Sequence, residues 1–427
     1  MNATRICLVS SAHLSYNPRL LKEADALHEA GYAVRVVAMN VEVVKAAYDE
    51  RLMRSRAWRL ERVNARRDSP GGRLRWLCAA LRQRMYQQVY ARWGIGLERA
   101  HSRYYGALGR LAAREPAALF IAHNLPALPA AAFAARRWGA RLGFDAEDFH
   151  RGEVLADDPA QALWRRLTVA VEEKYLPRCD HLTAASDGIA EAYARVVGVR
   201  RPVTVLNVFP LAERNGRVAA EALERERRGG AVSLYWYSQV IGADRGLNDA
   251  LEALTRLPEA VHLHLRGAWA AGCETVFREK IRALGVEGRV HILPPVPPEE
   301  LVERAAQHDV GLALEMGHTE NRRIAVTNKI LLYFVAGLAI AASDVPSQRA
   351  ILESAPDAGF LYPAGDGVAL AERLRAWVER PGRLIEAKAA ARAWGEKRFC
   401  WEREKDALVR AIGRLVGETW NRQLSHG

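Results

Sequence analysis

Residues 5–37 read RICLVSSAHLSYNPRLLKEADALHEAGYAVRVV, and the order of the pieces in this stretch decides the fold. Ile6-Cys7-Leu8-Val9 is a short apolar run of the kind a buried strand needs. Asn17 suits a helix N-cap and Pro18 the first helical position. Leu20, Leu21, Ala24, Leu27 and His28 then recur at helical spacing until Gly31 stops the helix. Val34, Val36 and Val37 supply the next strand. Strand, helix and strand in this order predict a βαβ unit with parallel strands.

The same alternation continues outward. Further strands are expected at 118–122, 142–144, 181–184 and 203–206, with helices near 160–176 and 187–196. Residues 212–230 are charged and end in Gly229-Gly230, which reads as a linker. A second series places strands at 233–237, 261–266, 290–293, 310–314 and 339–342. Helices are expected between them at 247–257, 273–284, 298–306 and 327–336, then near 366–379, 383–396 and 400–416. The prediction is two successive doubly wound α/β domains, with ligands at the carboxyl ends of the strands in the crevice between them.

Length and composition agree. The chain has 427 residues, enough for two or three domains. Half of it is hydrophobic and 26% is charged, which excludes a disordered or fibrous chain. The formal charge of +12 favours anionic partners. That excess sits in one place: residues 51–110 hold fifteen Arg, no Lys and three acidic residues. Trp58, Trp76, Tyr86, Tyr90 and Trp93 are interleaved with the arginines, and Pro70-Gly71-Gly72 divides the stretch into two helical pieces. The mixture suits an anionic membrane interface. Single-stranded nucleic acid, or a solvated helical face with buried aromatics, uses the same residues.

Other function classes lack support. The five cysteines are scattered without a CxxC pair, as expected of reduced thiols in a cytoplasmic protein. The first apolar run is too short for a signal peptide, and neither 117–135 nor 330–343 reads as a membrane span. There is no P-loop, HExxH or GxSxG pattern, and Gly94-Ile95-Gly96 lacks the third glycine of a dinucleotide fingerprint. Asp157-Asp158 reads as a solvated loop pair. His262 and His264 share one strand face and read as structural residues, because the sequence places no further metal ligands beside them.

An ordered set of motifs then becomes specific. It begins with Asn17-Pro18-Arg19-Leu20-Leu21-Lys22-Glu23-Ala24 and His123-Asn124-Leu125-Pro126. Tyr237-Ser238-Gln239-Val240-Ile241-Gly242 with Arg245-Gly246-Leu247 follows, and Thr327-Asn328-Lys329 with Ala336-Gly337-Leu338 closes it. Over about residues 5–380 this resembles a family 4 glycosyltransferase (glycosyl transferases group 1) of the GT-B fold. The resemblance implies two facing Rossmann-like domains. The acceptor-side domain would span 1–211 with the basic helical insertion 51–110, joined by the linker 212–230 to a donor-binding domain at 231–398. A last helix within 399–427 would cross back to the first domain. It also implies a nucleotide-diphosphate sugar donor, retention of configuration, a hexosyl-type transfer and no metal or other cofactor.

The resemblance assigns roles residue by residue. Arg245 would hold the leaving diphosphate, with Gln239 standing where the family commonly has a second cation, and Gly242 and Gly246 shaping their loop. Thr327, Asn328 and Lys329 open a helix whose free N–H groups suit phosphate. The family's ribose-binding glutamate falls at Leu332, and its partner eight residues earlier at Ile324; Leu332 cannot accept a hydrogen bond. Glu315, at a strand end, is the expected substitute, with Glu320 nearby. His123 would lie near the reacting sugar as a neutral ring that orients the donor. Asn17 and Arg19 lie on the acceptor side, where Asp145, Glu147 or Asp148 can position an acceptor hydroxyl or take its proton. The expected protein is a cytoplasmic transferase at the inner face of a membrane, acting on a glycan or lipid-linked acceptor in surface polysaccharide or glycolipid assembly. Two alternatives stay open: an inactive GT-B binding or scaffold subunit, suggested by Leu332 and Gln239, and a sugar-nucleotide epimerase.

Overall fold

The computed structural model describes residues 3–155, 158–214, 231–242 and 245–424. Asp157 and residues 215–230 of the expected linker lie outside the described residues. The chain divides into two compact units, Met1–Val205 with Lys405–Gly427, and Leu206–Glu404.

In the first unit the order is β1 (Arg5–Ser10), α1 (Pro18–Glu29), β2 (Ala33–Asn40), α2 (Val43–Met53), β3 (Arg59–Asn64), α3 (Pro70–Trp93), α4 (Leu97–His101) and α5 (Tyr105–Ala112). Then come β4 (Leu119–His123), α6 (Leu128–Trp138), β5 (Arg141–Ala146), α7 (Ala162–Tyr175), β6 (His181–Ala184), α8 (Asp187–Val197) and β7 (Val203–Thr204). The strands form one parallel sheet in the order β3-β2-β1-β4-β5-β6-β7. Ile6, Cys7, Leu8 and Val9 are fully buried, as a parallel strand covered on both faces requires. Asn17 Oδ1 accepts the Leu20 amide at 2.8 Å and so caps α1.

The second unit runs β8 (Val232–Ile241), α9 (Leu247–Arg256), β9 (Val261–Trp269), α10 (Cys273–Ala283), β10 (Val290–Leu293), α11 (Leu301–Ala305), β11 (Val310–Ala313) and α12 (Glu320–Ile324). It continues with α13 (Asn328–Ala336), β12 (Ala339–Ser343), α14 (Pro346–Glu353), β13 (Gly359–Tyr362), α15 (Gly367–Val378) and α16 (Pro381–Lys397). Its parallel sheet has the order β10-β9-β8-β11-β12-β13, the doubly wound arrangement with its switch point between β8 and β11. Leu234, Trp236, Leu263, Leu265, Leu312 and Leu314 join the buried core with Leu251 and Leu254 of α9 and Leu370 and Leu374 of α15. A final helix, α17 (Trp401–Leu424), begins within the second unit's residues and ends within the first's. No helix among the described residues is long and apolar enough to cross a membrane.

The expected helical insertion at 51–110 needs correction. Residues 51–53 end α2, and residues 59–64 are strand β3 at the edge of the sheet, so the basic helical part is α3 to α5. Pro70-Gly71-Gly72 does not break a helix; it starts one. Ser69 Oγ accepts the Gly72 amide at 3.1 Å and Pro70 takes the first turn, where its missing N–H costs nothing. A Cβ at position 72 would lie 2.1 Å from the Arg66 carbonyl oxygen, so glycine is required there.

Candidate functional site

In the first unit the parallel register brings Ser10, His123, Asp145 and Thr183 side by side at the carboxyl ends of β1, β4, β5 and β6. One helical turn separates Arg19 from Glu23 on α1, so both reach this row. Arg19 grips Asp145 bidentately, Nε to Oδ2 at 2.5 Å and Nη2 to Oδ1 at 2.8 Å, and it donates to the Val205 carbonyl. Thr183 Oγ1 donates to Asp145 Oδ1 at 2.5 Å. His123 lies between two carboxylates, with Nε2 3.1 Å from Glu23 and Nδ1 3.4 Å from Asp145.

All four ionisable groups are buried: His123 and Asp145 are 0% exposed, Arg19 and Glu23 3%. Burial disfavours a charged imidazole, but Glu23 and Asp145 outweigh it and push His123 up to about 10. Burial would likewise raise Asp145, yet Arg19 and His123 hold it well below the usual carboxylate range. The two carboxylates on either side of the ring thus favour its charged form, against the expectation of a neutral imidazole.

Glu23, His123 and Asp145 bring one ligand atom each within 4.8 Å of one another, a spacing that can hold a metal ion. The chemistry of the set opposes one. The Arg19 guanidinium already occupies both Asp145 oxygens.

The other acceptor-side candidates divide. Asn17 spends its oxygen on the α1 cap, and Asp145 is spent on Arg19, His123 and Thr183. Glu147, two residues beyond Asp145, is half-buried and makes no hydrogen bond or ion pair among the described residues. Burial and the Asp145 charge push it up to about 7. A buried pair behind these residues fixes the loop between β1 and α1. His13 Nδ1 meets Asp49 Oδ2 at 3.0 Å, while its Nε2 accepts the Val41 and Glu42 amides at 2.8 and 2.9 Å.

In the second unit the candidates gather at the carboxyl ends of β8 and β11. Gly246 has φ +69°, and a Cβ there would lie 2.1 Å from the Leu314 carbonyl oxygen. Only glycine lets this loop press onto the end of β11. Gly242 carries no such demand, since its Cβ would meet Ala270 at an ordinary 3.7 Å. Arg245 is half-exposed and has no ion pair among the described residues, and Gln239 is exposed within the register shift of β8 between Tyr237 and Val240.

Glu315 follows Leu314 and receives Lys329 Nζ at 2.9 Å and Thr327 Oγ1 at 3.2 Å, both on Oε1. Burial would raise this carboxyl, but Lys329 outweighs it and lowers its pKa. Thr327 is the N-cap residue of α13, yet its hydroxyl turns to Glu315 and caps nothing. The first amides of α13 are thus left without a side-chain acceptor among the described residues, beside exposed Asn328 and buried Lys329. That is a ready anion site. Leu332 is fully enclosed in α13 and Ile324 ends α12, so neither offers a ribose contact.

The structure sets two further histidines beside His262 and His264, which sequence spacing could not place. His262 Nδ1 lies 2.9 Å from His291 Nε2, and Ser233 Oγ bridges His264 Nδ1 at 2.9 Å and His308 Nδ1 at 2.6 Å. Glu23, Thr183 and Asp49 were also missed; of these only Glu23 had a signal, its i+4 spacing from Arg19.

Comparison with known proteins bears on this geometry. A family model described as a glycosyl transferase 4-like domain matches residues 16–208. A second, described as glycosyl transferases group 1, matches 233–380. No curated protein matches the chain in sequence. Among solved structures, Anabaena Alr3699/HepE in complex with UDP superposes with TM-score 0.69 at 15% identity, covering 96% of this chain and 100% of its own. Sucrose-phosphate synthase from Thermosynechococcus elongatus gives 0.69 at 14% identity, covering 99% and 100%. WaaG, a glycosyltransferase involved in lipopolysaccharide biosynthesis, gives 0.61 at 16%, covering 96% and 100%. At such identities the likeness establishes the fold, which is GT-B.

Proposed function

Because the chain belongs to the family 4 glycosyltransferases, with a glycosyl transferase 4-like domain followed by a group 1 domain, we propose that it moves a hexosyl group from a nucleotide-diphosphate donor to an acceptor hydroxyl with retention and without a metal. The observation that carries this is the uncapped N-terminus of α13, set beside Lys329, Glu315 and the Gly246-pinned loop that presents Arg245. Free amides, a helix dipole and two cations suit a diphosphate, and they stabilise it most as charge develops on the leaving oxygen. Glu315 Oε2 takes no hydrogen bond among the described residues and is our candidate for the ribose hydroxyls. Structures of Anabaena HepE hold UDP and UDP-glucose, which makes uridine nucleotides the first donors to try.

On the acceptor side Glu147 is assigned the hydroxyl. Its pKa near 7 lets it accept a hydrogen bond or a proton at neutral pH. His123, enclosed between carboxylates, acts through Asp145 and Glu23 as a positioning residue. Attack on the front face of the sugar lets the departing phosphate oxygen share in removing the acceptor proton. We place the reaction at the cytoplasmic face of the cell membrane, on a glycan or lipid-linked acceptor of surface polysaccharide or glycolipid assembly.

The test is nucleotide release from a panel of UDP-, GDP- and ADP-sugars in excess chelator, with and without a bacterial lipid extract, with the product anomer read by NMR. Release that needs the extract, with retained configuration, supports the reading. Release indifferent to the extract favours the epimerase. Donor binding without turnover favours the binding-subunit reading, to which the enclosed Leu332 and exposed Gln239 lend support.

A further inference from the structure

Helix α3 is two-faced in an unusual way. Its inner side packs on α4: Gln83 Nε2 donates to the Ala100 and His101 carbonyls at 3.2 and 3.3 Å, and Gln87 Nε2 to Ala100 at 3.3 Å. Trp76 lies under the guanidinium groups of Arg67 and Arg103, 4.2 and 5.2 Å from its ring centre. The basic and aromatic residues on this side are used up inside the protein.

The outer side is different. Leu74, Leu77, Leu81 and Met85 are 62%, 47%, 56% and 53% exposed, and Cys78 is exposed among them. At 3.6 residues per turn these five fall within one sector about 100° wide. Arg73 and Arg84 flank the sector on one side, Arg75 and Arg82 on the other. All four are exposed and none forms an ion pair among the described residues. Trp93 and Ile95, each 63% exposed, close the row at the end of the helix. Four large apolar side chains in a line are left uncovered among the described residues, which marks an interaction surface.

We propose that this face of α3 docks on an anionic lipid bilayer. The stripe enters the headgroup–acyl boundary, the two rows of arginine meet lipid phosphates on either side, and Trp93 sits at the interfacial level. Charge decides the occupant. Unpaired arginines lining both edges of an apolar strip match an acidic surface, whereas a second copy of the same face would oppose arginine to arginine. The inference deepens the proposed function and rests on it for its purpose, which is to bring the acceptor-side unit to a lipid-linked acceptor.

Cys78 provides the probe. With Cys179 and Cys273 replaced by serine, an environment-sensitive dye on Cys78 is titrated with vesicles of phosphatidylcholine alone or mixed with phosphatidylglycerol. The expected result is a blue shift with the anionic vesicles only, weakened by salt. The exposed double change Leu77→Asp/Leu81→Asp should abolish vesicle pelleting, and each of Arg73→Gln and Arg84→Gln should weaken it about fivefold. No shift with anionic vesicles overturns the proposal, as does pelleting unchanged in Leu77→Asp/Leu81→Asp. A dimer in ultracentrifugation that this double change dissociates, without lipid binding, assigns the face to a second copy and also overturns it. UDP-induced thermal stabilisation, read in the same proteins, separates the two claims. Vesicle binding without UDP binding supports docking and overturns the transferase reading; UDP binding without vesicle binding does the reverse.

Discussion

The two units carry sheets of the same handed design, and both concentrate polar residues at the carboxyl ends of their strands, yet the two strand ends are finished differently. In the first, Arg19 and Asp145 pair bidentately in the interior, His123 lies between the Glu23 and Asp145 carboxylates as an ion pair, and Glu147 is left as the open carboxyl. In the second, Arg245 has no counter-ion among the described residues, the α13 amides have no cap and Gln239 faces solvent. A closed cluster of charges holds a fold in shape. An open set of donors waits for an anion. Strand-end position therefore marks where function can sit, and satisfaction of the groups tells which of them are spent.

The largest effect should come from breaking the closed set. Asp145→Asn leaves Arg19 and His123 buried without their shared carboxylate and should cost about 3–5 kcal/mol of stability. Chemical unfolding would measure it. The pH dependence has a definite sign. His123 is raised from 6.5 to about 10, so its contribution is complete below pH 6.5 and disappears as pH rises through 10. Asp145 is lowered, so its share is present at neutral pH and is lost in acid.

Next in size is the glycine that joins loop to strand. Gly246→Ala must fit a Cβ against the Leu314 carbonyl at positive φ, and should cost about 2–3 kcal/mol together with most of the donor affinity. An intact affinity would show that this loop takes no part in binding.

Arg245→Ala turns the comparison around. Its stability should change by less than about 0.5 kcal/mol, because the side chain is half-exposed and has no ion pair among the described residues. Its UDP affinity should nevertheless fall about tenfold to a hundredfold, as expected for a lost charge-assisted hydrogen bond. Calorimetric titration measures both ends of this claim.

The smallest and most specific effect belongs to Glu147. If its carboxylate takes the acceptor hydroxyl, turnover should rise across pH 7, and Glu147→Gln should flatten that limb while leaving UDP affinity unchanged. Because its pKa is raised from 4.5 to about 7, ionising it opposes folding, so the variant should also gain stability above pH 7 relative to pH 4.5. A limb that survives the substitution assigns it to another group.

Much of this was legible in the sequence, for a physical reason. Parallel strands buried on both faces are continuous apolar runs, and strand ends follow from where the runs stop; His123, Asp145 and Glu315 were found that way. The Asn17-Pro18 helix start reads directly from capping chemistry. Strand β3 was hidden because RLERVN lies at a sheet edge, where arginine is tolerated and no apolar run is needed. Ser69 before Pro70-Gly71-Gly72 carried the signal for a helix start that the two glycines obscured. The charge state of His123 was illegible, because it depends on Glu23 and Asp145, which register and helix packing bring from distant parts of the chain. The row of His262, His264, His291 and His308 is of the same kind: pairing between β9 and β10, with Ser233 as the bridge, assembles it.

The central claim is that the strand ends of the second unit hold the donor diphosphate through Arg245 and the free amides of α13. The most direct measurement is the thermal midpoint with UDP in excess chelator, in the natural protein, Arg245→Ala and Glu147→Gln. The account predicts a UDP-dependent rise in the natural protein and in Glu147→Gln, and its loss in Arg245→Ala. A rise of equal size in Arg245→Ala, or none in any of the three with UDP or UDP-glucose, would contradict it.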